Sequence, residues 1–212
     1  MSLNLKYLEQ KLLIGSTLVE GSTLTESEAK KILTGKTIQG HPVSEIRELL
    51  NYRTATEWFL KQVSQTPYLT KDLLLNFHGK LFQGFLGSYG HWKIHENYTY
   101  LSDGSRHDYL HPSKVEITIK KWINDFNNEL KKENSPSEKG AMLYYGFEQI
   151  HPFEDGNGRI GRILIAYWLY WKTKQYFCFY LKDKVEHIQA LQAANKEDLK
   201  PLIRFLKKRI LK

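Results

Sequence analysis

The chain has 212 residues, of which 41% are apolar and 13% are aromatic, and its formal net charge is +8. This length and composition predict an ordinary globular protein of one domain, or of one domain with a small appendage. The single cysteine excludes a disulfide framework and a thiolate metal site built within one chain. The basic charge favours an anionic partner but does not separate nucleic acid, nucleotide and membrane surface.

Three features predict a cytoplasmic protein without a membrane segment. Cys178 lies among large apolar neighbours in YFCFYL, which is typical of a reducing compartment. The N-terminal stretch MSLNLKYLEQKLLIG does not have the pattern of a secretory signal. The longest uncharged apolar run, Ile163 to Trp171, has about half of the roughly 20 residues that cross a bilayer.

Helical periodicity dominates the chain from its start. Leucines at helical spacing predict a first helix that ends near Glu20 and Gly21. A capping box at Thr25 and Glu28 opens a second helix, and Gly35 ends it. Further helices are expected at about 44–65, 71–85, 113–132, 137–150 and 157–172, followed by two in the tail that separate near 198–201.

Between Gly87 and Pro112 the helical pattern gives way to glycines, tyrosines and histidines. Alternation in ENYTYL and RHDYLH, on either side of Asp103-Gly104, predicts a β-hairpin. The predicted fold class is therefore mostly α with a small β-hairpin. Because no cysteine accompanies them, the four histidines of this region are interpreted as surface residues rather than zinc ligands; they are His91, His95, His107 and His111.

The stretch HPFEDGNGRIGR, residues 151–162, lies between two predicted helices and has the composition of an anion-binding loop. Gly156, Asn157 and Gly158 can take the dihedral angles that turn successive main-chain N–H groups inward as a nest. The nest opens a helix, whose N-terminus adds partial positive charge. Arg159 and Arg162 lie on one face of the first helical turns, so their guanidinium groups reach the same place. This arrangement suits a di- or triphosphate.

A carboxylate and a histidine in the same stretch add reactive groups to the anion site. Asp155 would repel a bound polyphosphate unless a hard cation lay between them, so it is a candidate ligand of Mg²⁺. His151 stands close enough to the nest to take a proton from a hydroxyl that attacks the phosphate. Together they predict phosphoryl or nucleotidyl transfer. The alternative is a plain helix-to-helix turn whose arginines are solvated.

Two other phosphate-binding motifs do not fit the same stretch. GNGRIG has the spacing of the dinucleotide fingerprint, but no strand precedes it and no acidic residue that ends a strand follows about 20 positions on. A Walker loop requires Gly-Lys-Ser or Gly-Lys-Thr, which the stretch lacks.

The stretch resembles the signature of the Fic family, His-x-Phe-x-Asp/Glu-Gly-Asn-Gly-Arg-x-x-Arg. The resemblance extends to most of the chain, through the order of helices, the hairpin before the core and the helical C-terminal segment. Members of that family are mostly α-helical and transfer AMP from ATP to a hydroxyl side chain of a target protein, releasing pyrophosphate. The resemblance therefore implies a Fic-type helical domain that uses ATP and Mg²⁺.

The resemblance also implies a role for each matching residue. His151 would be the base that deprotonates the target hydroxyl, Asp155 the Mg²⁺ ligand and Phe153 a core anchor that fixes the loop. The anion hole and the phosphate clamp would be formed by Gly156, Asn157 and Gly158, with Arg159 at the β-phosphate and Arg162 at the γ-phosphate.

A second motif, STLVEG at residues 16–21, resembles the Ser/Thr-x-x-x-Glu-Gly/Asn signature of the inhibitory helix that some Fic proteins carry before the core. The matching residues are Ser16, Glu20 and Gly21. If Glu20 pairs with Arg162, its carboxylate occupies the guanidinium that the γ-phosphate needs, and ATP binds with its α-phosphate misaligned. The resemblance thus implies an enzyme that is largely inactive at rest. Taken alone, the motif would be interpreted as a surface glutamate that ends a helix.

Two segments contain departures from the family pattern. In HIQAL, residues 187–191, Ile188 stands where an aromatic residue near the adenine is common, whereas Asn195 matches the asparagine found further on. The hairpin, about 90–112, falls where the family has a flap that aligns the target by strand addition. It begins GHWK, with Lys93 where an arginine is more usual.

The predicted organisation is one globule, with N-terminal helices and the inhibitory motif at 1–35 and a Fic core at 36–212. The predicted function is an autoinhibited, Mg²⁺-dependent protein adenylyltransferase whose target, this chain itself included, binds along the flap. Removal of AMP from a modified protein, with Glu20 positioning a water, and transfer of another nucleotide are left open, as is a homodimer. A basic nucleic-acid-binding module is favoured by the charge and the LKKRILK tail but lacks a helix-turn-helix or stacking motif. The presence of His151 and Asp155 disfavours an inactive scaffold.

Overall fold

Helices form most of the structure, a computed structural model that describes residues 4–85, 87 and 89–211. This confirms the predicted mostly α fold class. The helices are α1 (Leu5–Leu8), α2 (Ile14–Val19), α3 (Glu26–Leu33), α4 (Val43–Gln65), α5 (Lys71–Leu81), α6 (Pro112–Lys131), α7 (Pro136–Ile150), α8 (Asn157–Thr173), α9 (Lys184–Ala194) and α10 (Lys200–Arg209). A π-helical turn, Glu9–Leu13, joins α1 to α2, and a 3-10 turn, Leu181–Asp183, precedes α9.

Local capping signals set several helix ends. Both halves of the capping box at Thr25 and Glu28 are present at the start of α3, and Gly35 follows that helix with φ +81°. The predicted end of α5 near residue 85 is wrong, because the helix ends at Leu81. The chain turns there through Gly84, which has φ +79° and whose carbonyl accepts a 2.6 Å hydrogen bond from Arg47.

The N-terminal helices form a continuous helical segment that contacts the residues before α9. The N–H of Phe179 donates to the carbonyl of Lys11, within the π-helical turn, at 2.7 Å. A Cβ atom at Gly15 would lie 2.2 Å from the carbonyl oxygen of Phe179, so only glycine allows this approach. The sequence did not predict the π-helical turn, which places α2 against the main chain of a distant segment.

The helix α8 lies at the centre of the core. Its residues from Ile160 to Tyr170 are all buried, and Trp168 has no exposed surface. A smaller apolar cluster joins α2, α3 and α4 through Ile14, Leu18, Leu24, Ala29, Ile32 and Leu49. Within the described ranges, no helix combines the length and apolarity needed to cross a bilayer.

The predicted hairpin is present, but its strands are shorter than the alternating segments ENYTYL and RHDYLH. Strands β1 (Tyr98–Tyr100) and β2 (Arg106–Asp108) pair antiparallel, with Thr99 opposite His107. The turn between them contains Gly104 at φ +80°, as the Asp-Gly pair predicts. A second antiparallel pair, β3 (Tyr176–Phe177) with β4 (Ile210–Leu211), joins the end of the chain to the segment after α8.

Candidate active site

The loop between α7 and α8 is held in a sharp turn by two left-handed residues. His151 ends α7 with φ 45° and ψ 61°, and Gly156 precedes α8 with φ 79°. A Cβ atom at Gly156 would also lie 2.8 Å from the ring of Phe82. Glycine is therefore required there by both its dihedral angle and its contact.

The side chain of Asn157 closes this loop on itself. Its Oδ1 accepts from the N–H of Phe153 at 2.9 Å, and its Nδ2 donates to the carbonyl of the same residue at 2.8 Å. Phe153 has no exposed surface and stacks on His78 at 4.0 Å. Asn157 thus fixes the loop through its side chain, which leaves its main-chain N–H for the predicted nest.

His78, which the sequence did not single out, fastens the loop from α5. Its Nδ1 accepts from the N–H of Gly90 at 2.9 Å, so its Nε2 carries the proton and donates to the carbonyl of Asp155 at 3.2 Å. Burial lowers the pKa of His78 to about 3, so the ring is neutral at physiological pH. The start of the hairpin and the loop are therefore linked through one imidazole.

The structure brings the segment STLVEG, residues 16–21, together with the second arginine of HPFEDGNGRIGR. Glu20 Oε1 accepts a hydrogen bond from Arg162, whose Nε donates to Ser16 Oγ at 2.6 Å. The Arg162 side chain is 3% exposed. Gly21, with φ +99°, ends α2 directly after Glu20, and a Cβ atom at Gly158 would lie 2.8 Å from Glu20 Oε1.

This ion pair is stabilised in its charged form. Burial acts to raise the pKa of Glu20, but Arg162, with smaller contributions from Arg159 and His151, outweighs it and leaves that pKa below its ordinary value. Glu20 is therefore ionised at neutral pH. Tyr52 supports the pair from α4, with its hydroxyl 3.1 Å from Ser16 Oγ and 2.8 Å from the carbonyl of Arg159.

Arg159 and Asp155 form a more open pair. Arg159 is 4% exposed, and its terminal nitrogens lie 3.3 Å from Asp155 and 3.5 Å from Glu48. Its Nε is buried without a hydrogen-bond partner among the described residues. The Asp155 side chain is 65% exposed and accepts from the N–H of Gly156 at 2.5 Å. One accessible carboxylate beside the predicted nest would suit Mg²⁺, a hard cation that prefers oxygen ligands.

His151 is covered by an aromatic ring from the hairpin side. The ring of Tyr109 stacks on it with centroids 3.8 Å apart and planes 15° apart. Burial, aided by the nearby Lys93 ammonium, lowers the pKa of His151 to about 4. The imidazole is therefore neutral, and able to accept a proton, at physiological pH.

A pocket of about 200 Å³ lies between the hairpin and α9. Asn195 lines it, and its Oδ1 accepts from Gln149 Nε2 at 2.9 Å. Ile188, 41% exposed, supplies an apolar wall. Residues of this pocket that the sequence did not single out are Thr99, Tyr100, Leu101, Tyr109, Glu148, Gln149, Leu191 and Gln192.

The hairpin histidines have separate surroundings. His95 contacts Glu154 at 3.0 Å and His111 contacts Glu96 at 3.3 Å, both at the surface. His107 differs from the predicted surface position: it lines the pocket between the hairpin and α9, and its Nε2 is buried. In the part of the chain that the structure describes, no three metal-binding side chains of His, Cys, Asp or Glu cluster together.

Comparison with known proteins gives matches to a family model, to curated relatives and to solved structures. The model of the Fic/DOC family matches residues 68–169. The Protein adenylyltransferase Fic of Drosophila mojavensis is 24% identical over 189 residues, which cover 89% of this chain and 37% of that relative. The chain thus spans 37% of the length of this curated relative.

Two solved structures share the fold. A Fic domain containing signaling protein from Bacteroides thetaiotaomicron has a TM-score of 0.88 and 22% identity, over 96% of this chain and 83% of that chain. The N-terminal Fic domain of a Bep effector protein from Bartonella quintana, solved with bound ADP, has a TM-score of 0.56 and 17% identity. That match covers 78% of this chain and 85% of the other.

Proposed function

Because this chain belongs to the Fic/DOC family, we propose that it transfers AMP from ATP to a hydroxyl side chain of a protein target. The observation that carries this proposal is the meeting of a neutral His151, a glycine-rich helix N-terminus and two buried arginines. Tyr109, which stacks on His151, also lines the pocket between the hairpin and α9. The name Protein adenylyltransferase Fic, carried by relatives at 24% identity, supports the same activity.

The triphosphate would bind along the start of α8. The nest at 156–158 and the helix N-terminus would receive phosphate oxygens, with Arg159 at the β-phosphate and Arg162 at the γ-phosphate. Asp155 would hold a Mg²⁺, which supplies positive charge against the phosphates when bound. The base would enter the pocket of Asn195, where Ile188 provides apolar contact in place of an aromatic ring.

The reaction then needs one proton acceptor and one leaving group. His151 takes the proton of the target hydroxyl while the hydroxyl oxygen, of tyrosine, serine or threonine, forms a bond to the α-phosphorus. The bond from that phosphorus to the bridging oxygen breaks, and pyrophosphate leaves with the electron pair. The arginines and the main-chain N–H groups stabilise the charge that develops on the phosphates.

Glu20 would keep the enzyme inactive at rest. Its carboxylate occupies Arg162 and lies against Gly158, where a γ-phosphate would need to bind. A second anion in this buried place would face unfavourable repulsion until Glu20 moves away. We infer that productive binding of ATP requires the displacement of Glu20.

The target would bind along the hairpin. Tyr98 and Tyr100 of β1 are 48% and 67% exposed, and the hairpin continues into Tyr109, which covers His151. An extended target segment added to this small sheet would bring a hydroxyl side chain towards the imidazole.

The test uses the Glu20→Gly protein with Mg²⁺ and ATP labelled at either the α- or the γ-phosphate, with a cell lysate as a source of targets. We expect protein to acquire label from the α-phosphate and not from the γ-phosphate. His151→Ala in the same background should lower incorporation by about 10²- to 10⁴-fold while ATP binding stays within a few-fold. His41→Ala, at a histidine that contacts Glu28 and Glu45 away from the loop and the hairpin, is the matched control and should keep its activity.

The two labels also separate the alternatives. Incorporation from the γ-phosphate would overturn the proposal in favour of kinase chemistry. Absence of incorporation from both, while ATP still binds, would contradict it and favour another nucleotide or removal of AMP from modified proteins.

A further inference from the structure

Lys93 is a buried lysine at the start of the hairpin. It is 2% exposed, and its Nζ donates to Asn97 Oδ1 at 2.5 Å. An ammonium group can donate three hydrogen bonds. Among the described residues, Asn97 is the one hydrogen-bond acceptor of the Lys93 ammonium, and no carboxylate forms an ion pair with it; Glu154 pairs with His95 instead. Burying a cation with so little compensation is costly, which indicates a function for its charge.

The surroundings of Lys93 connect it to the residues next to His151. Its main-chain N–H donates to the carbonyl of Pro152 at 2.8 Å. Its partner Asn97 donates through Nδ2 to the carbonyl of Phe153 at 3.1 Å. Lys93 and Asn97 therefore fasten the hairpin to the two residues that follow the imidazole.

Tyr109 connects the same lysine to the imidazole ring. Lys93 Nζ lies 5.9 Å from the centroid of the Tyr109 ring, and that ring stacks on His151 at 3.8 Å. The Lys93 ammonium therefore lies within about 10 Å of the His151 ring, with the Tyr109 ring in contact with both. At such a distance in a protein interior, one positive charge makes a second one measurably less favourable.

We propose that Lys93 is a positioning residue for the transfer reaction: its buried ammonium holds Asn97, which fastens the flap to the loop at 151–156, and its charge favours the neutral, proton-accepting form of His151. The inference deepens the proposed function, because it assumes that His151 is the base. It assigns a role to the position where the hairpin departs from its family in carrying lysine.

Some groups around His151 lower the pKa of its imidazole, and others raise it. Burial is the largest cause of the lowered pKa of His151, followed by Lys93, and His107 acts the same way from β2. The main chain of Glu148 in α7 and the carboxylate of Glu20 beyond α2 oppose them. Glu154, in the loop itself, raises the pKa of Lys93, but burial outweighs it and lowers that pKa to about 8. Lys93 is thus the principal cation acting on His151.

Histidine NMR tests this role without requiring any transfer activity. The imidazole resonances of ¹³C-labelled protein are titrated, with His151 assigned by its loss in His151→Ala. We expect the midpoint of His151 to rise by about one pH unit in Lys93→Gln, which removes the charge while its amide can still reach Asn97. Lys93→Arg keeps the charge and should restore the wild-type midpoint. Lys114→Met, at an exposed lysine, is the control.

A second charge-free variant separates electrostatics from folding. Lys93→Met keeps the apolar stem, so a folded Lys93→Met should shift the midpoint as Lys93→Gln does. An unchanged midpoint in either folded variant would overturn the proposal, whatever the transfer assay shows.

The pH dependence of transfer, measured in the Glu20→Gly background, should agree with the titration. The acidic limb of kcat/KM should move to higher pH in Lys93→Gln and return in Lys93→Arg, because removal of a cation makes His151 easier to protonate. A loss of rate that is equal at every pH would indicate a purely structural lysine and would overturn the electrostatic role. If no nucleotide is transferred at all, the proposed function fails, while the NMR titration still decides the role of Lys93.

Discussion

The loop at 151–156, which carries the proposed base His151, contacts the start of the hairpin on one side, and the helix that follows it contacts Glu20 after α2 on the other. These two sides bury charge in opposite ways. On the α2 side, Glu20 neutralises Arg162 in a direct ion pair. On the hairpin side, Lys93 is buried with an amide as its hydrogen-bond partner. One side therefore holds a cation that is neutralised by a carboxylate of the protein, whereas the other holds a cation paired with a neutral amide.

The difference bears on how the proposed inhibition by Glu20 and the proposed proton transfer to His151 are coupled. Glu20 acts to raise the pKa of His151, and Lys93 acts to lower it. Displacement of Glu20 would remove the opposing contribution, until the incoming phosphates replace it with negative charge of their own. We infer that the fixed cation on the hairpin side keeps the imidazole neutral through this exchange of anions.

The largest expected effect breaks the ion pair of the α2 side. Glu20→Gly should raise AMP transfer by about 10- to 100-fold, because a charge-assisted contact worth roughly 1.5 to 3 kcal/mol no longer competes with the γ-phosphate. Arg162→Ala in the same background should cancel that gain, since the proposed phosphate ligand is then missing. The measurement is the initial rate of α-label incorporation.

A matched acid facing the other arginine provides the control for this prediction. Glu48 lies 3.5 Å from Arg159, and Glu48→Ala should leave the rate within a few-fold of wild type. An unchanged rate in Glu20→Gly would show that the ion pair does not limit transfer. An equal gain in Glu48→Ala would mean that any nearby carboxylate inhibits by charge alone.

The next expected effect concerns Glu148, which lies in α7 between the two sides. It is 8% exposed, and its Oε1 has no hydrogen-bond partner among the described residues. Burial, opposed by Arg162, raises the pKa of Glu148 from 4.5 to about 7. Its folded state thus binds the proton more tightly than its unfolded state, a stabilisation that is complete below about pH 4.5 and lost as the pH rises through about 7.

Glu148→Gln removes this pH dependence. Between pH 5 and pH 8 the wild type should lose roughly 2 to 3 kcal/mol of unfolding free energy relative to the variant. Urea unfolding of both proteins at the two pH values measures the difference. Glu57→Gln, at an exposed glutamate, should show the same change in unfolding free energy between the two pH values as the wild type. The same change in Glu148→Gln would contradict the raised pKa of a buried Glu148 carboxyl.

Much of the fold was predictable because its signals are local. Thr25 with Glu28 opens α3, and the Asp-Gly pair at Gly104 turns the hairpin, since capping and turn preferences act within a few residues. The start of α8 after Gly156 was predictable for the same reason, because its turn glycine and its first helical residues lie within one short stretch. Family resemblance, rather than any local pattern, suggested the pairing of Glu20 with Arg162, which are 142 positions apart.

The features that the sequence did not predict depend on packing between distant segments. Nothing near His78 indicates that it will bridge Gly90 and Asp155, and the pairing of β3 with β4 rests on strands of two residues each. The burial of Lys93 is equally invisible, because a lysine in a glycine- and histidine-rich segment is ordinarily solvated. Its one signal was the departure from the arginine of the family pattern.

The smallest expected effect tests how closely α2 is seated. Gly15→Ala introduces a Cβ atom 2.2 Å from the carbonyl oxygen of Phe179, so the helix or that segment must shift. We expect a loss of unfolding free energy on the order of 1 kcal/mol and a fall in Tm of about 2 to 4 °C. Because Glu20 directly follows this helix, we also expect a several-fold rise in transfer. Gly79→Ala is the matched control, since its Cβ atom would meet Gly90 at an ordinary 3.6 Å. If Gly15→Ala melts and reacts as the wild type does, the close approach of α2 to Phe179 is not what holds Glu20 against Arg162.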